Sequence, residues 1–325
     1  MSTEQSRLGT GVKTVHPARY VRPAPFGTFF RDLCPLLWVV FCSTGIALAN
    51  PASAAELTPE QLFRAPVVYK LPGMNAVRVR QDLVYEKADG VEMRADAYLP
   101  PSGGPFPVVV FLHGGFPEGL DISPKSSGQY TSWGKLVAAS GLAAVTFNHR
   151  LRIGGSGAVH LADAGSDVRN LLKWIHENGA QLSLDPRRIA VFAVSAGGPL
   201  LTSALGDPGL RCLVDYYGFL DVRGHDWFAR AIAATPGVSW SLTEELEHGG
   251  ALPPIFVARA GLDRVPQMKD TIDRFVARAL ATNVELTLAN HATGQHAFDL
   301  QNDDPRSREI IRSTLAFLQA QLVER

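Results

Sequence analysis

Cysteine is scarce in this chain, and the places where it stands narrow the possibilities. Of the three cysteines in 325 residues, Cys34 and Cys42 fall in an apolar N-terminal run and only Cys212 lies in the remainder. A disulfide framework is therefore excluded for the body of the protein, and export would need none. No Cys/His cluster has zinc spacing and no glycine-rich phosphate loop appears, so neither a metal nor another cofactor is implied. Charge of one sign is lacking too. Lysine plus arginine and aspartate plus glutamate both number 31, so no global field favours nucleic acid, and no basic cluster stands out in the folded part. Internal repeats and Gly/Ser/Pro-rich linkers are also missing, which leaves one sizeable domain after the N-terminal segment.

That segment is of a different kind. Arg19, Arg22 and Arg31 precede an apolar run from Leu33 to Ala49, followed by Ala52-Ser53-Ala54. The run has the length of a signal-peptide core and the small-x-small triplet suits a signal peptidase. Residues 1–54 are thus expected to be a signal peptide with a long n-region, cleaved near Ala54, and the protein to be exported to a periplasm or secreted. The alternative is retention as a membrane anchor, for which the run is short and interrupted by Pro35 and Gly45. Residues 55–78 read as an N-terminal extension and 79–325 as the functional domain.

Within that domain the strongest local signal is Ala193-Val194-Ser195-Ala196-Gly197-Gly198, entered from the run Ile189-Ala190-Val191-Phe192. A serine hydroxyl is a weak nucleophile at neutral pH. It must stand exposed on a tight strand-to-helix turn within reach of an imidazole, and small neighbours permit that turn. Upstream, Val108-Val109-Val110-Phe111-Leu112 reads as a buried parallel strand ending in His113-Gly114-Gly115-Phe116. Glycines there let backbone N–H groups approach a substrate oxygen, and Gly115 and Phe116, with Ala196 after the serine, are the candidate oxyanion donors. His113 is read as holding that loop by side-chain hydrogen bonds rather than as a general base.

Downstream, the strand Ile255–Arg259 runs into Ala260-Gly261-Leu262-Asp263, and the strand Val284–Leu288 runs into a loop with two histidines, His291 and His296. Asp263 at a strand end can accept an imidazole Nδ1–H, although an aspartate before a helix is also a common N-cap. His296, in Gly294-Gln295-His296-Ala297-Phe298 with an aromatic anchor behind it, is preferred over His291 as the base. The candidate catalytic set is Ser195, Asp263 and His296, each placed after a different strand.

At these residues the chain resembles the α/β-hydrolase family, specifically serine esterases and lipases with a His-Gly-Gly oxyanion loop and a Ser-Ala-Gly-Gly elbow. The resemblance runs from about Val79 to the C-terminus and includes Asn148-His149-Arg150-Leu151 and Asp185-Pro186-Arg187-Arg188-Ile189. It departs at Phe116, where the hormone-sensitive-lipase-like group has a third glycine, and at Ala193, where the elbow pattern has glycine. Both departures point toward the wider set of dienelactone-hydrolase-like and feruloyl or acetylxylan-esterase-like proteins. Dienelactone hydrolases usually carry cysteine as nucleophile, so Ser195 argues for ester chemistry.

The resemblance implies a mostly parallel eight-stranded sheet with helices on both faces. Eight candidate strands can be counted: Leu83–Lys87, Val91–Leu99, Val108–Leu112, Leu142–Phe147, Ile189–Val194, Cys212–Tyr216, Ile255–Arg259 and Val284–Leu288. The first two are joined by an Asp-Gly turn that signals an antiparallel hairpin. Val168, Leu171, Leu172 and Ile175 share a helix face, as do Ile311, Leu315, Leu318 and Leu322. The irregular stretch 218–253 is expected to form a small cap whose Trp227, Phe228 and Trp240 line a substrate pocket, with satellite packing as the alternative. The implied activity is hydrolysis of small or medium soluble esters through an acyl-enzyme. A serine exopeptidase of the same fold and a non-catalytic binding module are the alternatives.

Overall fold

The computed structural model describes residues 57–88, 90–116, 123–151 and 161–323; the expected signal peptide lies outside them. Residues Ala54–Arg325 form one compact unit.

Eight strands form one sheet: β1 (Arg78–Ala88), β2 (Val91–Leu99), β3 (Phe106–Leu112), β4 (Ala143–Phe147), β5 (Leu184–Val194), β6 (Leu210–Tyr216), β7 (Ile255–Ala260) and β8 (Leu286–His291). Their spatial order is β1-β2-β4-β3-β5-β6-β7-β8. β2 runs antiparallel to both its neighbours and the pairings from β4 to β8 are parallel. The uniform apolar runs of β3 and β5 follow from this placement, because a central parallel strand is covered on both faces. Val108, Val110 and Leu112 point into one core and Val109 and Phe111 into the other.

The helices divide between the faces as the resemblance implies. α2 (Gly128–Ala139) and α8 (Pro305–Leu322) cover one face, joined by α1 (Pro59–Arg64) and the short α7 (Phe298–Gln301). α3 (Leu161–Asn178), α4 (Asp226–Ala234), α5 (Leu242–Glu247) and α6 (Met268–Ala281) cover the other. The apolar stripes expected for α3 and α8 are buried in these two cores.

Several expectations change. β1 and β5 each begin five residues before the runs read from sequence, at Arg78 and Leu184. β8 begins two residues later than its apolar run suggested and continues to His291, because it is an edge strand paired only with β7, up to Ala260 opposite His291. The stretch 218–253 is not irregular throughout: it winds α4 and α5, whose Phe228, Ala231, Leu242 and Leu246 join the main core. It extends that core rather than standing over it as a separate cap.

Candidate active site

The sharpest local constraint is at the end of β5. Ser195 has φ +54°, a left-handed conformation that a non-glycine residue adopts only when its surroundings enforce it, at a cost of about 1–3 kcal/mol. What enforces it is the segment Ser195–Ala204, which turns straight into a tight 3-10 helix containing Pro199 and packs on β3. A Cβ at Gly197 would stand 2.8 Å from the His113 carbonyl oxygen, so only glycine allows that approach. Ala193, where the elbow pattern has glycine, is buried between Leu112 and Asp215 in the sheet register, and its methyl group adds to the core.

His296 arrives from the loop between β8 and α7. Its Nε2 lies 3.0 Å from Ser195 Oγ, and its Nδ1 lies 2.7 Å from Asp263 Oδ2. Asp263 follows β7, and its second oxygen accepts the Val265 N–H at 2.8 Å, so both its oxygens are held. The Asp263 and His296 loops are zipped together by the N–H of Gly261 donating to His291 O and that of Leu262 donating to Gly294 O. A Cβ at Gly261 would sit 2.4 Å from the Ala292 carbonyl oxygen. Phe298, the aromatic anchor expected behind His296, is fully buried against Tyr216. The other histidine, His291, is buried at the end of β8, where its Nε2 meets Ser307 Oγ at 3.0 Å and Asp304 at 3.3 Å. It takes no part in the Ser195 constellation.

The glycine loop after β3 is fixed by its own side chain. His113 Nδ1–H donates to Gly114 O at 2.8 Å, and its Nε2 receives the His149 N–H at 3.3 Å. The two imidazoles stack at 3.4 Å. Burial pushes His113 down to about 4 and His149 well below its ordinary value, so both rings are neutral and neither competes as a base at neutral pH. The Gly114 N–H is taken by Tyr130 Oη at 3.0 Å. Gly115 and Phe116 line the cavity that holds Ser195, and among the described residues nothing accepts from their N–H groups. Ala196 is buried directly behind Ser195 in the first helical turn, where N–H groups have no intrahelical partner.

The wall of that cavity holds residues that sequence reasoning missed. Leu62 and Phe63 of α1 line it together with Gln129, Tyr130, Tyr217 and Leu300. Asp299, fully buried three residues after His296, accepts from Tyr217 Oη at 2.6 Å, Gln129 Nε2 at 3.0 Å and Trp133 Nε1 at 2.9 Å. This carboxylate ties α2 to Tyr217, whose ring edge rests on His296 with centroids 4.8 Å apart. Asp299 follows the histidine motif directly in His296-Ala297-Phe298-Asp299, and that proximity was the one signal available.

None of the three aromatics expected to touch substrate lines the Ser195 cavity. Phe228 is fully buried against Phe219 and His225. Trp240 is buried with its Nε1 donating to Thr235, and its ring occupies the place where a side chain at Gly165 would stand. Both went to the core because α4 and α5 complete one sheet face. Trp227 is different, lining a neighbouring depression with His296.

A second buried carboxylate carries a pH signature. Asp215, near the end of β6, is fully buried; Oδ2 accepts the Gly218 N–H at 3.0 Å, and Oδ1 has no partner among the described residues. Burial raises its pKa to about 7. A carboxyl group whose folded pKa lies above its unfolded value stabilises the fold fully below about pH 4, and that contribution is lost as pH rises through 7. The loss amounts to about 4 kcal/mol by pH 8, the free energy that separates a carboxyl group titrating at 3.8 from one titrating at about 7. Asp215→Asn is expected to flatten this fall, measured as unfolding free energy in urea at pH 4, 6 and 8. A variant that keeps the wild-type slope would reject the assignment.

Comparison with known proteins places these features in a wider context. A family model described as BD-FAE matches residues 95–206. Among curated proteins, the chain is 28% identical over 171 residues to the non-reducing polyketide synthase ascC of Acremonium egyptiacum, covering 49% of this chain and 8% of that one. It is 30% identical over 152 residues to the non-reducing polyketide synthase pkbA of Emericella nidulans, covering 42% and 6%. The chain thus spans less than a tenth of the length of these relatives. Among solved structures, the thermophilic esterase Est2 of the planctomycete Thermogutta terrifontis superposes with a TM-score of 0.59 at 22% identity, over 76% of this chain and 93% of that one. A bacterial heroin esterase gives 0.60 at 22%, over 78% and 87%. The esterase LipW of Mycobacterium marinum gives 0.59 at 20%, over 78% and 83%. The fold is that of the α/β-hydrolases.

Proposed function

We propose that this α/β-hydrolase-fold protein is a serine carboxylic-ester hydrolase. The observation that carries the reading is the continuous line of hydrogen bonds from Ser195 Oγ through His296 to Asp263, built on a strained nucleophile turn. The names of its structural neighbours and the matched family support the same chemistry.

The reaction has two halves. Ser195 Oγ attacks the ester carbonyl carbon while its proton passes to His296 Nε2, and the carbonyl oxygen becomes an oxyanion beside the N–H groups of Gly115, Phe116 and Ala196. The bond to the alcohol then breaks, and the proton on Nε2 goes to the departing oxygen. Water enters, gives its proton to His296 and attacks the acyl-enzyme, and Ser195 leaves with that proton as the acid is released. Asp263 keeps its hydrogen bond to His296 throughout. It holds the Nδ1–H and so keeps Nε2 free to accept. The substrates are small organic esters.

A fluorophosphonate tests this directly, because it reacts only with a serine whose proton can be taken and whose oxyanion is held. Intact-mass spectrometry is expected to find a single phosphonyl adduct, located on the peptide containing Ser195 and missing in Ser195→Ala. A label on another serine, or none under conditions that saturate a control esterase, would remove the proposal's basis.

A further inference from the structure

Two cavities meet at His296, and they differ in size and lining. The first, about 120 Å³, holds Ser195, Gly115 and Phe116 and ends on Leu62, Phe63 and Leu300. The second, about 350 Å³, contains no part of Ser195 and is lined by Trp227, Leu262, Arg264, Val265, Pro266 and Gln295 beside His296. An ester divides in the same way. The acid portion becomes bonded to Ser195 Oγ, so it must begin in the cavity that contains that atom. The alcohol portion takes its proton from His296 and departs without bonding to the enzyme, so it needs only to lie beside His296.

From this division we infer that the substrates are esters of a short aliphatic acid with a bulky, ring-bearing alcohol. This rests on the ester-hydrolase reading and goes on to assign the two halves of the substrate. Size decides the acid. An apolar protein cavity of about 150 Å³ takes benzene, and the Ser195 cavity, at about 120 Å³ against about 350 Å³ for its neighbour, favours a short alkyl chain over an aromatic acyl group. Its far wall is fixed. Phe63 packs edge-on to Phe116 with centroids 5.9 Å apart. α1 is anchored by a Thr58 capping box, by Leu57 N–H donating to Gln301, and by Val67 N–H donating to Ser132 Oγ at 2.9 Å. Lining chemistry decides the alcohol. Trp227 is held edge-to-face by Phe219 and His225, which fixes a flat surface for a ring to lie on, and the half-exposed Leu262 adds apolar area next to it.

The test reads two series with the full-length enzyme. Wild type is expected to lose kcat/KM by about tenfold or more between p-nitrophenyl butyrate and octanoate, a step of four methylenes where one that misfits a pocket is already worth about tenfold. Phe63→Ala is expected to raise the octanoate-to-acetate ratio by about tenfold. Trp227→Ala is expected to raise KM for 2-naphthyl acetate about fivefold more than for methyl acetate. Variant-to-wild-type ratios cancel the intrinsic reactivity of each leaving group. Wild-type turnover of octanoate equal to butyrate would overturn the inference, and so would an exchange of effects between the two variants. Because the wild-type series needs no variant, a misfolded Phe63→Ala would not leave the question open. Failure of the parent reading looks different: no ester would be turned over, or Ser195→Ala would match wild type.

Discussion

Ser195→Ala is expected to lower kcat for ester hydrolysis by about 10⁶-fold while leaving the protein folded, because the substitution deletes the only atom that can form the acyl-enzyme. The structure separates this chemical loss from a structural one. Among the described residues the Ser195 hydroxyl makes one hydrogen bond, to His296, and an alanine keeps the same left-handed backbone with the same strain. Thermal unfolding of Ser195→Ala is therefore expected to lie within about 1 kcal/mol of wild type, the net value of an ordinary hydrogen bond. Ser195→Gly should be as inactive yet more stable than the alanine variant by about 1 kcal/mol, since glycine adopts φ +54° without the Cβ clash. Stopped assays with a p-nitrophenyl ester and melts of all three proteins check both statements. Activity within tenfold of wild type in either variant would mean that the ester is attacked by something other than Ser195.

The residues that were readable in advance share a physical property: their role is fixed by what lies next to them in the chain. β3 and β5 are uniformly apolar because both faces are covered, and a run such as Ile189–Val194 carries that fact by itself. Ser195, Asp263 and His296 each stand within a few residues of a strand's C-terminal end, where sheet geometry delivers loops to one edge. Trp227, Phe228 and Trp240 could not be sorted from sequence, because an aromatic in a long connection is equally suited to a core or a pocket. Only the folding of α4 and α5 onto the sheet sends Phe228 and Trp240 inward and leaves Trp227 beside His296. Leu62 and Phe63 were invisible for a related reason. They reach the cavity across a separation of more than 130 residues from Ser195, and α1 is too short to show an apolar stripe. His291 and His296 lie five positions apart in one loop-bound stretch. What distinguishes them is the extension of β8 to His291, which buries that ring and leaves His296 on the free loop.

Asp263→Asn is expected to cost about 10⁴-fold in kcat, and to be at least as damaging as Asp263→Ala, although asparagine is nearly isosteric. The reason is in the two hydrogen bonds that Asp263 makes. One oxygen accepts the Val265 N–H and the other accepts His296 Nδ1–H. An asparagine has a single oxygen to serve both donors. The Val265 amide must have an acceptor, and among the described residues it has no other partner, so the asparagine carbonyl turns toward it and the NH₂ group faces His296. An NH₂ group needs an acceptor, which forces Nδ1 to give up its proton and moves that proton to Nε2. His296 then presents an N–H to Ser195 and cannot take the serine's proton at all. Alanine imposes no tautomer: the imidazole loses the stabilisation of its charged form but can still carry its proton on Nδ1. Proton NMR of the imidazole Nδ1–H, present in wild type and missing from Asp263→Asn, reports the tautomer apart from the rate. An asparagine variant clearly more active than the alanine variant would show that Asp263 acts through its charge alone and that the Val265 contact does not direct the side chain.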